Sequence, residues 1–165
     1  FNSMWTYVKP VIWTGDNKLT ISSATGLKFD MSEGNDTLIG GAGADTLIGG
    51  DGLDTLTGNG GADYFDLVNT LGKNNVDTIT DFTRSQGDKI RLGSDVMKSL
   101  GAAGNLGSAQ FIKGTTATTA DQRIVYDSNT GKLYYDADGS GSGNAVQIAL
   151  IGNKAALGAT DFIIT

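Results

Sequence analysis

Four aspartates, Asp36, Asp45, Asp54 and Asp63, stand nine residues apart. An apolar residue follows each at the second position: Leu38, Leu47, Leu56 and Phe65. Glycines fill much of each preceding loop, in GNDTLIG, GAGADTLIG, GDGLDTLTG and NGGADYFDL. Carboxylates repeated beside carbonyl-exposing loops suit a hard cation that takes six to eight oxygens. A nine-residue period with glycine, aspartate and one inward apolar residue is a solenoid signature, and such nonapeptides are a known calcium-binding form of it.

Other chemistries are excluded by composition. The 165 residues include no cysteine and no histidine. Disulfides, zinc held by Cys or His, and Ser-His-Asp or Cys-His catalysis therefore have no residues to use. No glycine-rich stretch continues into Gly-Lys-Ser/Thr, so none reads as a phosphate loop. The formal charge of -6 argues against a nucleic-acid or anionic-lipid face. No apolar run is long enough to span a membrane. The first residues lack the basic start and apolar core of a secretory signal peptide. A chain that starts at Phe1 is expected to continue a longer protein.

The aspartates need elements to hold them. Thr37-Leu38-Ile39, Thr46-Leu47-Ile48, Thr55-Leu56-Thr57 and Tyr64-Phe65-Asp66 read as short strands with the central side chain inward. The six-residue loops between them reverse the chain, so two repeats make one coil. Loops carrying Asp36 and Asp54 then stack on one side, and those carrying Asp45 and Asp63 on the other. Each coil buries two apolar side chains against the entropy of ordering eighteen mostly small residues, and stacked aspartates repel. A cation between stacked loops is expected to supply the missing stability.

Flanking segments are read as caps. Residues 1–30 contain strand formers (Trp5, Tyr7, Ile12, Trp13), a turn at Thr14–Asn17, a strand near Leu19 and Ile21, and Phe29 in phase with Leu38. They read as a degenerate first coil and cap, or as the end of an upstream domain. Residues 31–66 are the roll. Residues 67–165 read as an antiparallel β cap: strands at Val76–Phe82, Lys89–Leu92, Gln110–Ile112, Arg123–Tyr126, Leu133–Tyr135 and Val146–Ile151, a hairpin turn at Asn129–Gly131, and short helical turns near Val96–Leu100 and 153–158. The fold class is all-β: a short parallel β-roll capped by an antiparallel β region.

The repeats resemble the RTX, or haemolysin-type, calcium-binding family. Gly40–Ile48 and Gly49–Thr57 carry its nonapeptide without a gap; Met31, Ser32 and Asn59 depart from its glycines. Asp77–Phe82 and Gly87–Ile90 resemble the segment after the roll in RTX proteases, lipases and alginate-epimerase R-modules. The resemblance implies several calcium ions. One site would use Ser32, Gly34, Asp36, Gly49, Asp51 and Asp54, and a second Gly41, Gly43, Asp45, Gly58, Gly60 and Asp63. Further ions would sit where Asp54, with Gly50 and Gly52, and Asp63 meet Asp77 and Asp81. The Leu27 loop lacks a carboxylate. Whether Asp88, Asp136 and Asp138 bind calcium or make ordinary turns is left open.

The same resemblance implies a non-catalytic, monomeric, extracellular module that folds on meeting calcium outside the cell. Asp161-Phe162-Ile163-Ile164 resembles the C-terminal signal read by type I secretion machinery. Two alternatives stand beside this reading: a polysaccharide-binding module of an extracellular enzyme, and the end of a large adhesin. Trp5, Trp13, Tyr126, Tyr134 and Tyr135 are expected in core or cap packing rather than on a sugar-stacking face.

Overall fold

The computed structural model describes residues 14–165. Strands β1 (Lys18–Thr20), β2 (Lys28–Asp30), β3 (Thr37–Ile39), β4 (Thr46–Ile48), β5 (Thr55–Thr57), β6 (Tyr64–Leu67), β7 (Asp77–Ile79) and β8 (Lys89–Leu92) wind into a roll. Odd strands lie in one sheet and even strands in the other, each paired in parallel with the strand one coil on. The period-two alternation turns one residue per strand inward. Leu38, Leu56 and Ile79 stack in the first sheet, and Leu47, Phe65 and Ile90 in the second, all fully buried.

The coil continues on both sides of the nonapeptides. Leu19 pairs with Leu38 and Phe29 with Leu47, so residues 18–30 form a coil of the same roll. Trp5, Tyr7, Ile12 and Trp13, together with Pro10 and the rest of residues 1–13, lie outside the described residues. On the other side β7 and β8 prolong both sheets past residue 66.

The remaining strands are β9 (Gly104–Asn105), β10 (Phe111–Lys113), β11 (Ile124–Asp127), β12 (Lys132–Tyr135), β13 (Val146–Ile151) and β14 (Phe162–Ile164). β11, β12 and β13 pair antiparallel, with the β11–β12 turn at Gly131 (φ 83°) as expected. The cap is nevertheless mixed. β13 adds to β7 and β14 to β8 in parallel, and β10 pairs in parallel with β11. Parallel addition lets the cap extend the roll's hydrogen-bond ladders directly. The helical turns are 3₁₀: Lys98–Leu100 falls within the expected Val96–Leu100, whereas Ala159–Asp161 lies just after the expected 153–158. Tyr126 and Tyr135 are buried in the core, while Tyr134 is half-buried.

β14 is an inner strand, between β8 and β9, with Phe162 fully buried. On the outer face of the second sheet, Arg91 makes a bidentate pair with Asp66, both bonds 2.5 Å, and lies 4.8 Å from the centre of the Tyr64 ring.

Candidate metal centre

Each roll aspartate immediately precedes its strand, which places the carboxylate at the inner corner of the loop. There Oδ1 accepts the backbone N–H of the equivalent residue one coil earlier. On one side Asn17 donates to Asp36 (2.7 Å), Asp36 to Asp54 (2.7 Å) and Asp54 to Asp77 (3.2 Å). On the other Leu27 donates to Asp45 (2.8 Å), Asp45 to Asp63 (2.8 Å) and Asp63 to Asp88 (3.0 Å). The result is two carboxylate ladders along the edges of the roll. Asp36, Asp45, Asp54, Asp63, Asp77 and Asp88 are all buried.

The second carboxylate oxygen behaves differently. Oδ2 of Asp36, Asp54 and Asp63 is buried without a hydrogen-bond partner, whereas Oδ2 of Asp45 accepts from Gly41 N–H at 2.8 Å. A buried, unpartnered carboxylate oxygen is costly and calls for a cation. Burial, the largest cause, pushes the pKa of Asp63 up to about 6 and that of Asp77 to about 8. The neighbouring carboxylates add to this: Asp88 and Asp45 beside Asp63, and Asp54 beside Asp77. Asp54 and Asp88 are also raised, by burial first. Protons would otherwise do what a cation does better.

Backbone oxygens must complete any shell, since among the described residues no three acidic side chains converge on one point. The loops supply them. Gly34 N–H donates to Asp51 O (3.0 Å) and Asp51 N–H to Ser32 O (2.7 Å), which locks two stacked loops together. On the opposite side Gly60 N–H donates to Gly41 O at 3.1 Å. Each such carbonyl keeps a second lone pair. Gly49 and Gly58 open their loops directly under the aspartates: a Cβ on either would overlap Oδ2 of Asp54 or Asp63. Cβ atoms on Gly50, Gly52 and Gly61 would collide with Ser32 O, Gly34 O and Gly43 O. At the second loop position Gly50 (φ 104°), Ser32 (φ 71°) and Asn59 (φ 63°) take a left-handed backbone, the last two without being glycine, while the equivalent Gly41 does not.

The expected set is thus brought together in two rows, with one change. Asp77 continues the first ladder, but the third member of the second is Asp88. Asp81 sits beside that ladder, accepting from Gly58 (2.9 Å) and Asn59 (2.8 Å) at the mouth of the Asp63 loop. Sequence reasoning also missed Asn17, the ladder's first rung, and Asn75, whose Oδ1 accepts Gly52 N–H at 2.8 Å. Asn17 and Asp88 each stand one residue before a strand, the place that the repeat aspartates also occupy, whereas Asn75 stands two residues before β7. Asp136 and Asp138 lie apart from both ladders. There Asp138 N–H bonds Asp136 Oδ1 (3.3 Å) and Asp138 Oδ2 accepts from Gly143 (2.9 Å), as in an ordinary turn.

Residues 32–65 match the family model of the RTX calcium-binding nonapeptide repeat in four copies. This stretch is an RTX roll. No curated protein is significantly similar to the chain in sequence. In structure the chain is similar to the AlgE6R3 subunit of the mannuronan C5-epimerase of Azotobacter vinelandii. The TM-score is 0.54 at 24% identity, over 93% of this chain and 81% of that one. That likeness extends the shared fold across the cap as well as the RTX roll. RTX repeats are a calcium-binding module.

Proposed function

We propose that this chain is a calcium-switched folding module of an exported protein, ordered outside the cell and without a catalytic role of its own. The observation that carries the reading is the set of buried, unpartnered oxygens on Asp36 and Asp54 along one edge and on Asp63 along the other. Asp36, Asp54 and Asp77 with carbonyls of Ser32, Gly34, Gly49, Gly50, Asp51 and Gly52 would hold ions on one edge. Asp45, Asp63, Asp81 and Asp88 with carbonyls of Gly41, Gly43, Gly58 and Gly60 would do so on the other. Bound calcium supplies positive charge that cancels repulsion between stacked carboxylates and couples binding to folding. The chain then divides by role into an N-terminal cap or remnant of an upstream domain (1–30), the RTX roll (31–66) and a C-terminal cap (67–165), working as a monomer.

Export before folding fits the burial of the C-terminal segment. Asp161, Phe162 and Ile164 are 1%, 0% and 3% exposed, so a secretion machinery can read them in the unfolded chain but not in the folded one. Circular dichroism during a calcium titration, reversed with EGTA, tests the central claim. The β signal is expected to grow as weak extracellular-type sites fill, at about 10⁻⁴–10⁻³ M. No change by ~10 mM, well above that range, refutes it.

A second reading, contact with a polysaccharide, is favoured by one feature. An open groove of about 440 Å³ lies between Asp51 and the loop bearing Thr70, Leu71, Lys73 and Asn74. Its amide, hydroxyl and ammonium groups suit a hydroxyl-rich, acidic chain, and the structural neighbour belongs to a mannuronan epimerase. Amide shifts at residues 70–75 on adding oligomannuronate would support it; shifts spread evenly over the chain, or none, would dismiss it.

A further inference from the structure

The loop between β7 and β8 holds two candidate ligating carboxylates and also seats the end of the chain. Asp81 caps Gly58 and Asn59 at its start. At its end Asp88 accepts from Asp63 (3.0 Å) and from Thr83 (2.7 Å). Between them a 3₁₀ turn, Arg84–Gln86, aims Arg84 at the entry to β14. Its Nε donates to Asp161 Oδ1 at 2.9 Å, and its Nη2 to Thr160 Oγ1 at 2.9 Å. Asp161 is almost wholly buried, and its other oxygen accepts Gly158 N–H at 2.8 Å. Two neighbours of the same loop reinforce the seat. Lys89, beside Asp88, donates Nζ to Thr160 O (2.8 Å), and Asn153 Nδ2 donates to Phe82 O (2.9 Å).

We propose that Arg84 is a positioning residue that links cation binding beside Asp63, Asp81 and Asp88 to docking of the C-terminal strand β14. The inference rests on the calcium reading above and gives Arg84 no ligand role. The turn in residues 82–87 is held by backbone bonds from Gln86 to Thr83 O and from Gly87 to Arg84 O and by Thr83 N–H on Asp88, while Asp81 and Asp88 tie its two ends to the Asp63 loop. With three mutually repelling carboxylates uncompensated, that arrangement is disfavoured, and Arg84 leaves the buried Asp161 without its charge partner. Docked β14, conversely, holds Arg84 and hence the loop in the conformation that presents Asp81 and Asp88. Linkage makes the two effects reciprocal: what the cation does for β14, β14 does for the cation. The terminal segment is therefore free while the ion is absent and covered once it binds.

The test uses the full chain with calcium as the probe. Isothermal titration gives the affinities, and hydrogen exchange at the Ile163 and Ile164 amides reports docking. In the unaltered chain, protection of these amides is expected to build with calcium. Arg84→Gln is expected to weaken one class of ions by about five-fold or more, the lower end of typical coupling, and to leave the others in place. Arg84→Lys recovers part of the loss. Asp161→Asn, which keeps the side chain's shape and its contact with Gly158, is expected to give the same selective weakening, and it decides the matter should Arg84→Gln not fold. An unchanged isotherm in the variant that folds, or full protection of Ile163 and Ile164 in EGTA, overturns the linkage alone. An unaltered chain that binds no calcium overturns the calcium reading and the linkage with it.

Discussion

Asp36 donates its backbone N–H to Oδ1 of Asp54, eighteen residues along the chain, at 2.7 Å. The same carboxylate therefore ties one coil to the next with one oxygen and leaves the other buried without a partner. The structural role and the proposed metal-binding role meet in a single side chain.

Asp54 should be among the most sensitive positions. Asp54→Ala leaves the buried N–H of Asp36 without an acceptor, a loss of about 1–3 kcal/mol before any cation is considered. It also removes a carboxylate that faces Asp36 on one flank and Asp77 on the other. The calcium midpoint for β structure, followed by circular dichroism, is expected to rise at least about ten-fold, equivalent to ~1.4 kcal/mol. Asp136→Ala is expected to leave it nearly unchanged. Equal effects would remove Asp54 from the candidate site.

Gly49→Ala tests the close approach beneath the carboxylate. The new Cβ would overlap Asp54 Oδ2, so the loop or the carboxylate must shift. Overpacking of this kind costs about 1–3 kcal/mol. The variant is expected to melt at lower temperature in saturating calcium and to bind it more weakly. Gly114→Ala serves as the control, because its nearest atom is Thr116 O at 3.9 Å. Indistinguishable melting curves for the two would mean that the first glycine of the repeat is not needed for space.

Acid should partly replace calcium. In the calcium-free fold the pKa of Asp63 stands near 6 and that of Asp77 near 8, both above the ordinary 3.8. The folded chain then holds more protons than the unfolded one. Stability from these groups is complete below the ordinary value and is lost as pH rises through about 6 to 8. Asp127 and Asp138, whose pKa values are lowered, act in the opposite sense and only at more acidic pH. In EGTA the β signal in circular dichroism is expected to increase as pH falls from 8 to 5. A fall over that window would contradict the buried ladders.

The repeats were legible because each loop has the same length. Asp36, Asp45, Asp54 and Asp63 announce their ladder through a nine-residue phase, and an inward leucine or phenylalanine two residues on gives the strand. The phase fails where loops change length while the geometry does not. Lys18 and Lys28 begin successive strands ten residues apart, so Asn17 falls out of step. Asp63 reaches Asp88 after 25 residues instead of 18, which hides the third rung. The Arg84–Asp161 pair spans 77 residues and leaves no local trace. An apolar terminal strand such as Phe162–Ile164 reads the same at an edge or inside, since alternation fixes which face is buried but not who the neighbours are.

Phe162 is the last inward rung of the even-numbered sheet, one strand beyond Ile90. Its ring lies 5.6 Å from that of Phe111, so it joins the end of the RTX roll to the cap strands. Phe162→Ala removes a fully buried aromatic ring, at a cost of about 3–5 kcal/mol. For a roll with two inward residues per coil, a loss of that size at the closing rung should uncover Ile90 and Leu92 beneath it. The expected outcome in saturating calcium is faster amide exchange in β8 and β14 together, with β3 and β4 at the far end of the roll much less affected. Loss confined to β14 would show that the terminal strand merely leans on the RTX roll. Coincident loss in both strands would show that it closes the roll, and that residues after the last nonapeptide belong to the same folding unit as the repeats.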